Sequence, residues 1–159
     1  MRTSRGRRGF SLIELVIVVV IIGVIAAIAI PRMSRGAAGA SDAALSGNLT
    51  ILRNAIDLYH TEHGGTDSDY PKVAKFQAQL VTYTDATGTA NATKDTTYIY
   101  GPYLAAVPVL PVGSMKGKNG VAAAAGAGIG WVYDETTGAI SAALPDAEVD
   151  AAGKKYNTY

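Results

Sequence analysis

Cysteine is absent from this sequence and histidine nearly so, because its 159 residues include no Cys and only 2 His. A chain without cysteine forms no disulfide and offers no thiolate as a nucleophile or metal ligand. His60 and His63 have Glu62 between them, but no further His or Cys completes a metal site. We expect the two histidines to lie at the C-terminal end of a helix, where positive charge is favourable.

Other signatures of catalysis are missing as well. The chain has no Gly-x-Ser-x-Gly turn, and no histidine lies in a pattern typical of a general base. Its glycine-rich stretch at 126–130 leads into a predicted strand, whereas a phosphate cradle requires a helix N-terminus. The sequence therefore predicts no enzyme.

Basic side chains are scarce beyond the first nine residues. The formal net charge is +1, from 14 Lys and Arg against 13 Asp and Glu. Four of those 14 are Arg2, Arg5, Arg7 and Arg8, so residues 10–159 carry 10 basic and 13 acidic side chains, a net of −3. No basic stripe remains for phosphate contacts, and nucleic acid is not expected as the primary partner.

The most prominent feature that is present is an apolar run at residues 10–30. Of its 21 residues, only Ser11, Glu14 and Gly23 are not hydrophobic. A helix of that length spans roughly 30 Å, the thickness of a bilayer core. A charge in such a helix costs on the order of 2.5–3.5 kcal/mol, so Glu14 needs a partner. The preceding arginines favour a cytoplasmic N-terminus.

Residues 9–15 read Gly-Phe-Ser-Leu-Ile-Glu-Leu. This stretch resembles the processing signal of type IV pilins and type II secretion pseudopilins. The resemblance implies that a prepilin peptidase cuts between Gly9 and Phe10 and methylates the new N-terminus at Phe10. It also implies that Glu14 acts in assembly, in which copies of the chain polymerise with one another and with other pilins or pseudopilins on an inner-membrane platform.

Two other interpretations of this N-terminal segment stay open. A Sec signal peptide also joins a basic region to an apolar one, and the small residues at 27–29 or 38–40 suit its cleavage. A plain single-pass anchor is the second. Neither a signal peptide nor a plain anchor explains a glutamate at position 14. The apolar run also exceeds the usual length of about 7–15 residues in a signal peptide. The pilin-type signal is therefore favoured.

A single long helix is predicted from residue 10 to about residue 63. Gly64 and Gly65 provide its C-terminal stop. Its second half should be the spine on which a globular head packs. Apolar residues there follow in steps of four and three, the spacing of one helix face, at Leu45, Leu49, Leu52, Ile56 and Tyr59.

Gly23 and Pro31 interrupt the first half of this helix. Proline removes a helical hydrogen bond, and glycine lowers helix propensity by about 1 kcal/mol. In pilins the matching residues bracket a segment that can unwind, so the resemblance makes residues 24–29 candidates for local melting in a filament. A simple kink at Pro31 is an equal alternative.

These features divide the chain into three parts. Residues 1–9 are a cleaved leader, and residues 10–33 are the transmembrane and assembly half of the helix. Residues 34–159 form a head that includes the amphipathic half of the helix. The predicted topology is a single pass through the inner membrane, with the leader cytoplasmic and the head periplasmic.

Weaker patterns organise the rest of the head. A short second helix is predicted at 72–82 from apolar residues at helical spacing. A long exposed loop is predicted at 85–95, and Pro108 and Pro111 indicate an extended connector. The Gly- and Ala-rich stretch at 113–128 is expected to be mobile.

The clearest β pattern comes last, at 129–133 and 139–144. The residues between these segments form a turn in which Gly138 can take a positive φ. A further strand near 121–125 would complete a small antiparallel sheet, which needs the long helix to cover one face. The predicted fold class is α+β and pilin-like: a long N-terminal helix with a small antiparallel β-sheet packed on its C-terminal half.

The order of these elements is similar, more loosely, to that of the G-type major pseudopilin. Many type IV pilins close their C-terminal region with a disulfide, and the G-type head usually carries a calcium-binding loop instead. The Asp-Pro-Trp-Gly turn of that loop is not evident here, where Leu-Pro-Val-Gly stands at 110–113. Calcium requires several oxygen ligands. The nearest candidates are Asp134 and Glu135, or the tail acids Asp146, Glu148 and Asp150.

The function expected from this resemblance is mechanical. The chain is predicted to be a structural subunit of a type II secretion-type pseudopilus, which polymerises through its hydrophobic helix to drive protein export. One alternative is a type IV pilus pilin used in adhesion, motility or DNA uptake. Another is a membrane-anchored binding module that never polymerises. As a filament, the protein would lie in the periplasm or on the cell surface.

Overall fold

A computed structural model describes residues 10–66 and 69–159, so the predicted leader and its cleavage residue Gly9 lie outside the described residues. The chain divides into two compact units, Met1–Ala37 and Ala38–Tyr159. Short 3-10 turns lie at Val73–Lys75 and Tyr156–Thr158. The helices and strands are α1 (Leu12–Glu62), α2 (Phe76–Val81), β1 (Tyr83–Thr84), β2 (Ala90–Asn91), β3 (Gly120–Ala122), β4 (Ile129–Tyr133) and β5 (Ile140–Ala142).

Helix α1 confirms the predicted long helix. The backbone is helical at both Gly23 and Pro31, which lie within its bounds. The predicted core stripe from Leu45 to Tyr59 is buried at every position. The helix ends where Gly64 and Gly65 take φ values of 123° and 72°. Glycine is common after a helix because a residue with a side chain disfavours such positive φ angles.

Strands β4 and β5 form the predicted antiparallel hairpin. Trp131 lies opposite Ala142, and Tyr133 lies opposite Ile140. All four side chains are buried on the same face, as the alternation of a half-buried sheet requires. The turn closes as the amide of Gly138, at φ 73°, donates to the carbonyl of Asp134 over 2.9 Å.

Strand β3 corrects the predicted antiparallel sheet. It lies in the expected region but runs parallel to β4, with Val121 opposite Trp131, so the sheet is mixed with the order β3-β4-β5. The stretch at 113–128, which was expected to be mobile, therefore contains a strand. Its glycines allow close packing: a Cβ at Gly120 or Gly130 would overlap backbone atoms of Gly128 or Lys118.

The second helix is confirmed as the 3-10 turn Val73–Lys75 followed by α2. The predicted exposed loop at 85–95 is largely exposed, but it contains the short strand β2, which pairs with β1. Asp85 shapes the turn between them by accepting the amides of Thr87 and Thr89 at 2.8 and 2.9 Å. A hydrogen bond from the Thr87 hydroxyl over 2.8 Å, together with these amides, holds the pKa of the Asp85 carboxyl below its usual value. The turn contains no large apolar side chain, so the sequence resembles that of an open loop.

The head core lies between the amphipathic half of α1 and the β3-β4-β5 sheet. Its largest fully buried side chains include Trp131, Tyr133 and Phe76, and the rings of Phe76 and Tyr133 meet edge to face with centroids 4.7 Å apart. The Trp131 indole donates to the Pro108 carbonyl over 2.8 Å, which anchors the predicted proline-rich connector. The architecture confirms the α+β class.

Residues 145–159, here named the C-terminal strap, pack back against α1 and β5. The Tyr156 hydroxyl donates to Asp42 Oδ1 on α1 over 2.8 Å. Arg53 of α1 donates to the carbonyls of Ile140 and Tyr159 at 3.2 and 2.5 Å. These contacts join parts of the chain that are far apart in sequence, and the apolar pattern does not predict them.

Candidate functional site

The N-terminus of α1 is closed by a pair of side chains that includes Glu14. The Ser11 hydroxyl accepts the amide of Ile13 over 3.3 Å, and Glu14 Oε2 accepts the amide of Ser11 over 2.8 Å. This arrangement is close to a capping box, in which a Ser and a Glu three positions apart satisfy free amides of the first turn. A carboxylate there also suits the positive end of the helix dipole. The sequence contains this Ser-x-x-Glu pattern, but the pattern lies within the apolar run.

The apolar segment that follows is exposed apart from Ala26 and Ala29, which are partly buried. Residues Leu12–Ala29 form a helix long and apolar enough to cross a membrane, and none of this window is buried within the chain. Phe10, the predicted new N-terminus, is 87% exposed. Apolar surface of this extent requires lipid or another protein to cover it. The roles of Gly9, Phe10 and Glu14 in processing and assembly stay predictions.

Gly23 lies in the middle of the exposed segment, where no packing within the chain requires glycine. A Cβ built there meets no atom within 4 Å. Glycine at this position therefore either lets a neighbouring molecule approach closely or lowers the helix propensity of the segment. Local melting between Gly23 and Pro31 stays a prediction.

The solvent-facing side of α1 in the head also carries apolar residues. Ile51 is 53% exposed and Leu58 is 50% exposed. They lie two turns apart, on the face of α1 that points away from the buried stripe. Ala44 and Gly47 precede them on the same face and are exposed as well. We name these four residues the outer stripe. A second helix could approach closely at its small residues and contact its large ones.

His60 and His63 lie in the last turns of α1, as expected. His63 Nδ1 lies 2.8 Å from the Tyr59 carbonyl, so this nitrogen carries the proton and donates to a carbonyl that also accepts the His63 amide over 3.1 Å. Its Nε2 lies 3.0 Å from the Thr84 hydroxyl. His60 stacks on Tyr70 with ring centroids 3.9 Å apart. The expected placement at the helix end is confirmed, with aromatic packing in addition.

Tyrosines surround this helix end. Tyr103 donates its hydroxyl to Glu62 Oε2 over 2.6 Å, and burial together with that carboxylate raises the pKa of Tyr103. Burial, with the charges of Asp85 and Asp69, raises the pKa of Tyr59 to about 12. Both phenols therefore stay protonated at neutral pH and pack as hydrogen-bonding aromatic side chains.

The calcium candidates Asp134 and Glu135 have partners in the hairpin turn. Asp134 accepts the amide and hydroxyl of Thr136 at 2.9 and 2.6 Å, and these bonds lower the pKa of its carboxyl. Glu135 Oε2 accepts the amide of Val73 over 2.7 Å and so ties the turn to the second helix. Within residues 10–66 and 69–159, no three His, Asp or Glu side chains are grouped to hold a metal ion. The expectation of no cofactor, with calcium as the alternative, stays a prediction.

The tail acids are likewise engaged with nearby groups. Asp146 accepts from Lys155 at 2.6 Å and from Asn157 at 2.7 Å. Glu148 accepts the amide and hydroxyl of Ser114 at 2.9 and 2.6 Å. Asp150 accepts the Tyr159 hydroxyl and the amides of Ala152 and Lys154. These three carboxylates thus order the C-terminal strap and the loop beside it.

Comparison with known proteins identifies the N-terminal segment alone. Residues 4–30 match the family model described as the prokaryotic N-terminal methylation motif. Comparisons with curated proteins and with solved structures gave no match. The chain therefore carries a signal of the type IV pilin and pseudopilin kind, which marks precursors of structural subunits and fits a membrane-anchored, pilin-like protein.

Proposed function

We propose that the chain is a filament subunit of a type II secretion-type pseudopilus and drives protein export mechanically. The observation that carries this proposal is the apolar helix Leu12–Ala29, of which no residue is buried within the chain and which follows the Gly-Phe junction within the matched methylation motif. A segment of this kind holds the precursor in the membrane. After processing, the same surface is available to copies of the chain.

The exposed surfaces support polymerisation. In a membrane the helix Leu12–Ala29 is covered by lipid, but outside the bilayer it would leave a continuous apolar surface in water. Neighbouring helices of the same composition can cover it. The outer stripe, with Ile51 and Leu58 half-exposed, offers a further apolar contact in the head.

In this proposal Glu14 determines the axial register in which neighbouring subunits assemble. In the single chain one of its carboxylate oxygens accepts the Ser11 amide. In the filament, the N-terminal ammonium of a neighbouring Phe10 would neutralise the remaining charge. Attraction between charges is far stronger in a low-dielectric surrounding than in water, so such a pair would favour the correct axial register over a slipped one.

Two substitutions at Glu14 separate its charge from its capping hydrogen bond. Glu14→Gln retains a side chain that can close the capping box, whereas Glu14→Ala removes the cap and the charge together. We expect both variants to be cleaved at Gly9, to insert in the membrane and to fail in filament assembly, as measured by shearing and by pull-down of cross-linked multimers. Loss of assembly in Glu14→Ala alone would assign the residue to capping.

The kind of filament is tested in cells. A deletion strain should lose secretion of exported proteins and regain it with the wild-type gene but not with Glu14→Gln. Intact secretion with loss of surface filaments would instead indicate a type IV pilus pilin. A third outcome is that the deletion strain secretes normally and that both the wild-type protein and Glu14→Gln are monomeric. That outcome would indicate an anchored module that does not polymerise.

A further inference from the structure

The C-terminal strap covers an edge of the sheet. Strand β5 is an edge strand in the order β3-β4-β5, and the 3-10 turn Tyr156–Thr158 packs against it. Arg53 donates to the β5 carbonyl of Ile140 and also to the strap carbonyl of Tyr159. Edge strands present unpaired backbone groups that can pair with another chain, and native proteins often cover them with a loop.

One carboxylate of α1 fastens the strap to the helix, and two carboxylates within the strap fold it on itself. Tyr156 donates to Asp42 of α1 over 2.8 Å, and Tyr159 donates to Asp150. Asp146 forms an ion pair with Lys155 over 2.6 Å. A carboxylate accepts these hydrogen bonds while it is ionised, and protonation weakens it as an acceptor.

We propose that the C-terminal strap is a releasable cover over the β5 edge, fastened to α1 by the Tyr156–Asp42 and Arg53–Tyr159 hydrogen bonds and kept folded by hydrogen bonds to its own Asp146 and Asp150. No covalent bond fastens it, because the sequence contains no cysteine. This inference does not depend on the proposed function, since it concerns opening of the head and not assembly.

Ionisation gives the strap a defined pH range. Hydrogen bonds lower the pKa of Asp146 and of Asp150, so the stability that these groups contribute is present above the ordinary Asp pKa and is lost as the pH falls through the lowered values. The pKa values of Tyr156 and Tyr159 are raised to about 12, so their contribution is present below the ordinary Tyr pKa and is lost as the pH rises through 12. The other charged groups in and around the strap are Glu148, which accepts from Ser114, Asp42 and Arg53 of α1, Asp134 of the hairpin turn, Lys154 over the Tyr159 ring at 3.8 Å, and Lys155.

Hydrogen–deuterium exchange of the full chain in nonionic detergent tests the proposal. Between about pH 5 and pH 9, amides in residues 145–159 and in β5 should keep constant protection after correction for the intrinsic rate. Protection of these segments should fall below about pH 4 while amides of β4 stay protected. Simultaneous loss in β4 would show that the strap does not open by itself and would overturn the proposal.

Variants identify what fastens the strap. Tyr156→Phe and Tyr159→Phe should each reduce protection in residues 145–159 by about three- to tenfold near neutral pH, and the double variant should reduce it further. Tyr98→Phe is the control, because its hydroxyl forms no hydrogen bond within the described residues. Unchanged protection in the double variant would show that ring packing holds the strap. A loss of protection on addition of a calcium chelator would show that a metal ion does.

Discussion

Leu52 and Leu58 show how two identical side chains on one helix contribute differently to stability. Leu52 is 0% exposed in the core, whereas Leu58 is 50% exposed on the outer stripe. Leu52→Ala leaves a cavity in the core, and we expect it to lower the free energy of unfolding of the head by roughly 2–5 kcal/mol.

Leu58→Ala is the matched control, since it removes the same atoms from the surface. Its effect on the free energy of unfolding should stay within about 0.5 kcal/mol. Urea denaturation of the full chain in detergent, followed by Trp131 fluorescence, measures both variants. Equal losses would contradict the assignment of the two helix faces.

Phe10 is the residue on which the proposed processing depends. Membrane-extracted protein should begin at an N-methylated Phe10, because residues 9–15 match the pilin-type signal. Intact-mass spectrometry should show loss of residues 1–9 and addition of one methyl group. A mass that retains the leader arginines would contradict peptidase cleavage, and an N-terminus between residues 30 and 40 would indicate a Sec signal peptide.

Among the elements, the β4–β5 hairpin depends most visibly on a single backbone conformation. Gly138 has a φ of 73°, and a Cβ at this position would overlap the ring of Tyr70. Gly138→Ala should therefore lower the free energy of unfolding by more than the roughly 1–2 kcal/mol expected from left-handed backbone alone.

Gly117→Ala provides the comparison that separates strain from overlap. Gly117 also has a positive φ, at 83°, but a Cβ there meets no atom within 4 Å. It should show the backbone cost alone, about 1–2 kcal/mol. The two variants are compared by urea denaturation, and equal losses would exclude a contribution from Tyr70.

Elements with a strong local pattern were predictable from the sequence. The steps of four and three between Leu45 and Tyr59 fix the buried face of α1, and the segments around Gly138 fix a hairpin. The direction of β3 was not predictable, because glycines such as Gly120 suggest flexibility in the sequence while they serve close packing in the fold. Ser11 and Glu14 form a sequence pattern that predicts the N-terminal cap, but this pattern lies within the apolar run.

The C-terminal strap was missed for a different reason. Its contacts join Tyr156 to Asp42 and Tyr159 to Arg53, across more than half of the chain. Polar contacts between distant residues leave no periodic pattern in a single sequence. The tail acids therefore appeared as free calcium candidates, whereas Asp146, Glu148 and Asp150 accept hydrogen bonds from neighbouring groups.

At the scale of the whole molecule, the compact unit Ala38–Tyr159 contains the complete described core of the head. We expect a fragment of residues 35–159 to be soluble and folded, because the unburied apolar window Leu12–Ala29 is removed. Circular dichroism should show helix and a cooperative thermal transition, and sedimentation should show a monomer. A disordered fragment would contradict the role of the second half of α1 as the spine of the head.

The distance in sequence between the two halves of the head core also sets an order of events during synthesis. Leu45, Leu49 and Leu52 leave the ribosome long before Trp131 and Ile140, which they join in the core. At the usual rates of chain elongation, the delay is on the order of ten seconds. Throughout that interval the apolar face of α1 is made but not yet covered, so the head core can close only when the last third of the polypeptide has been synthesised.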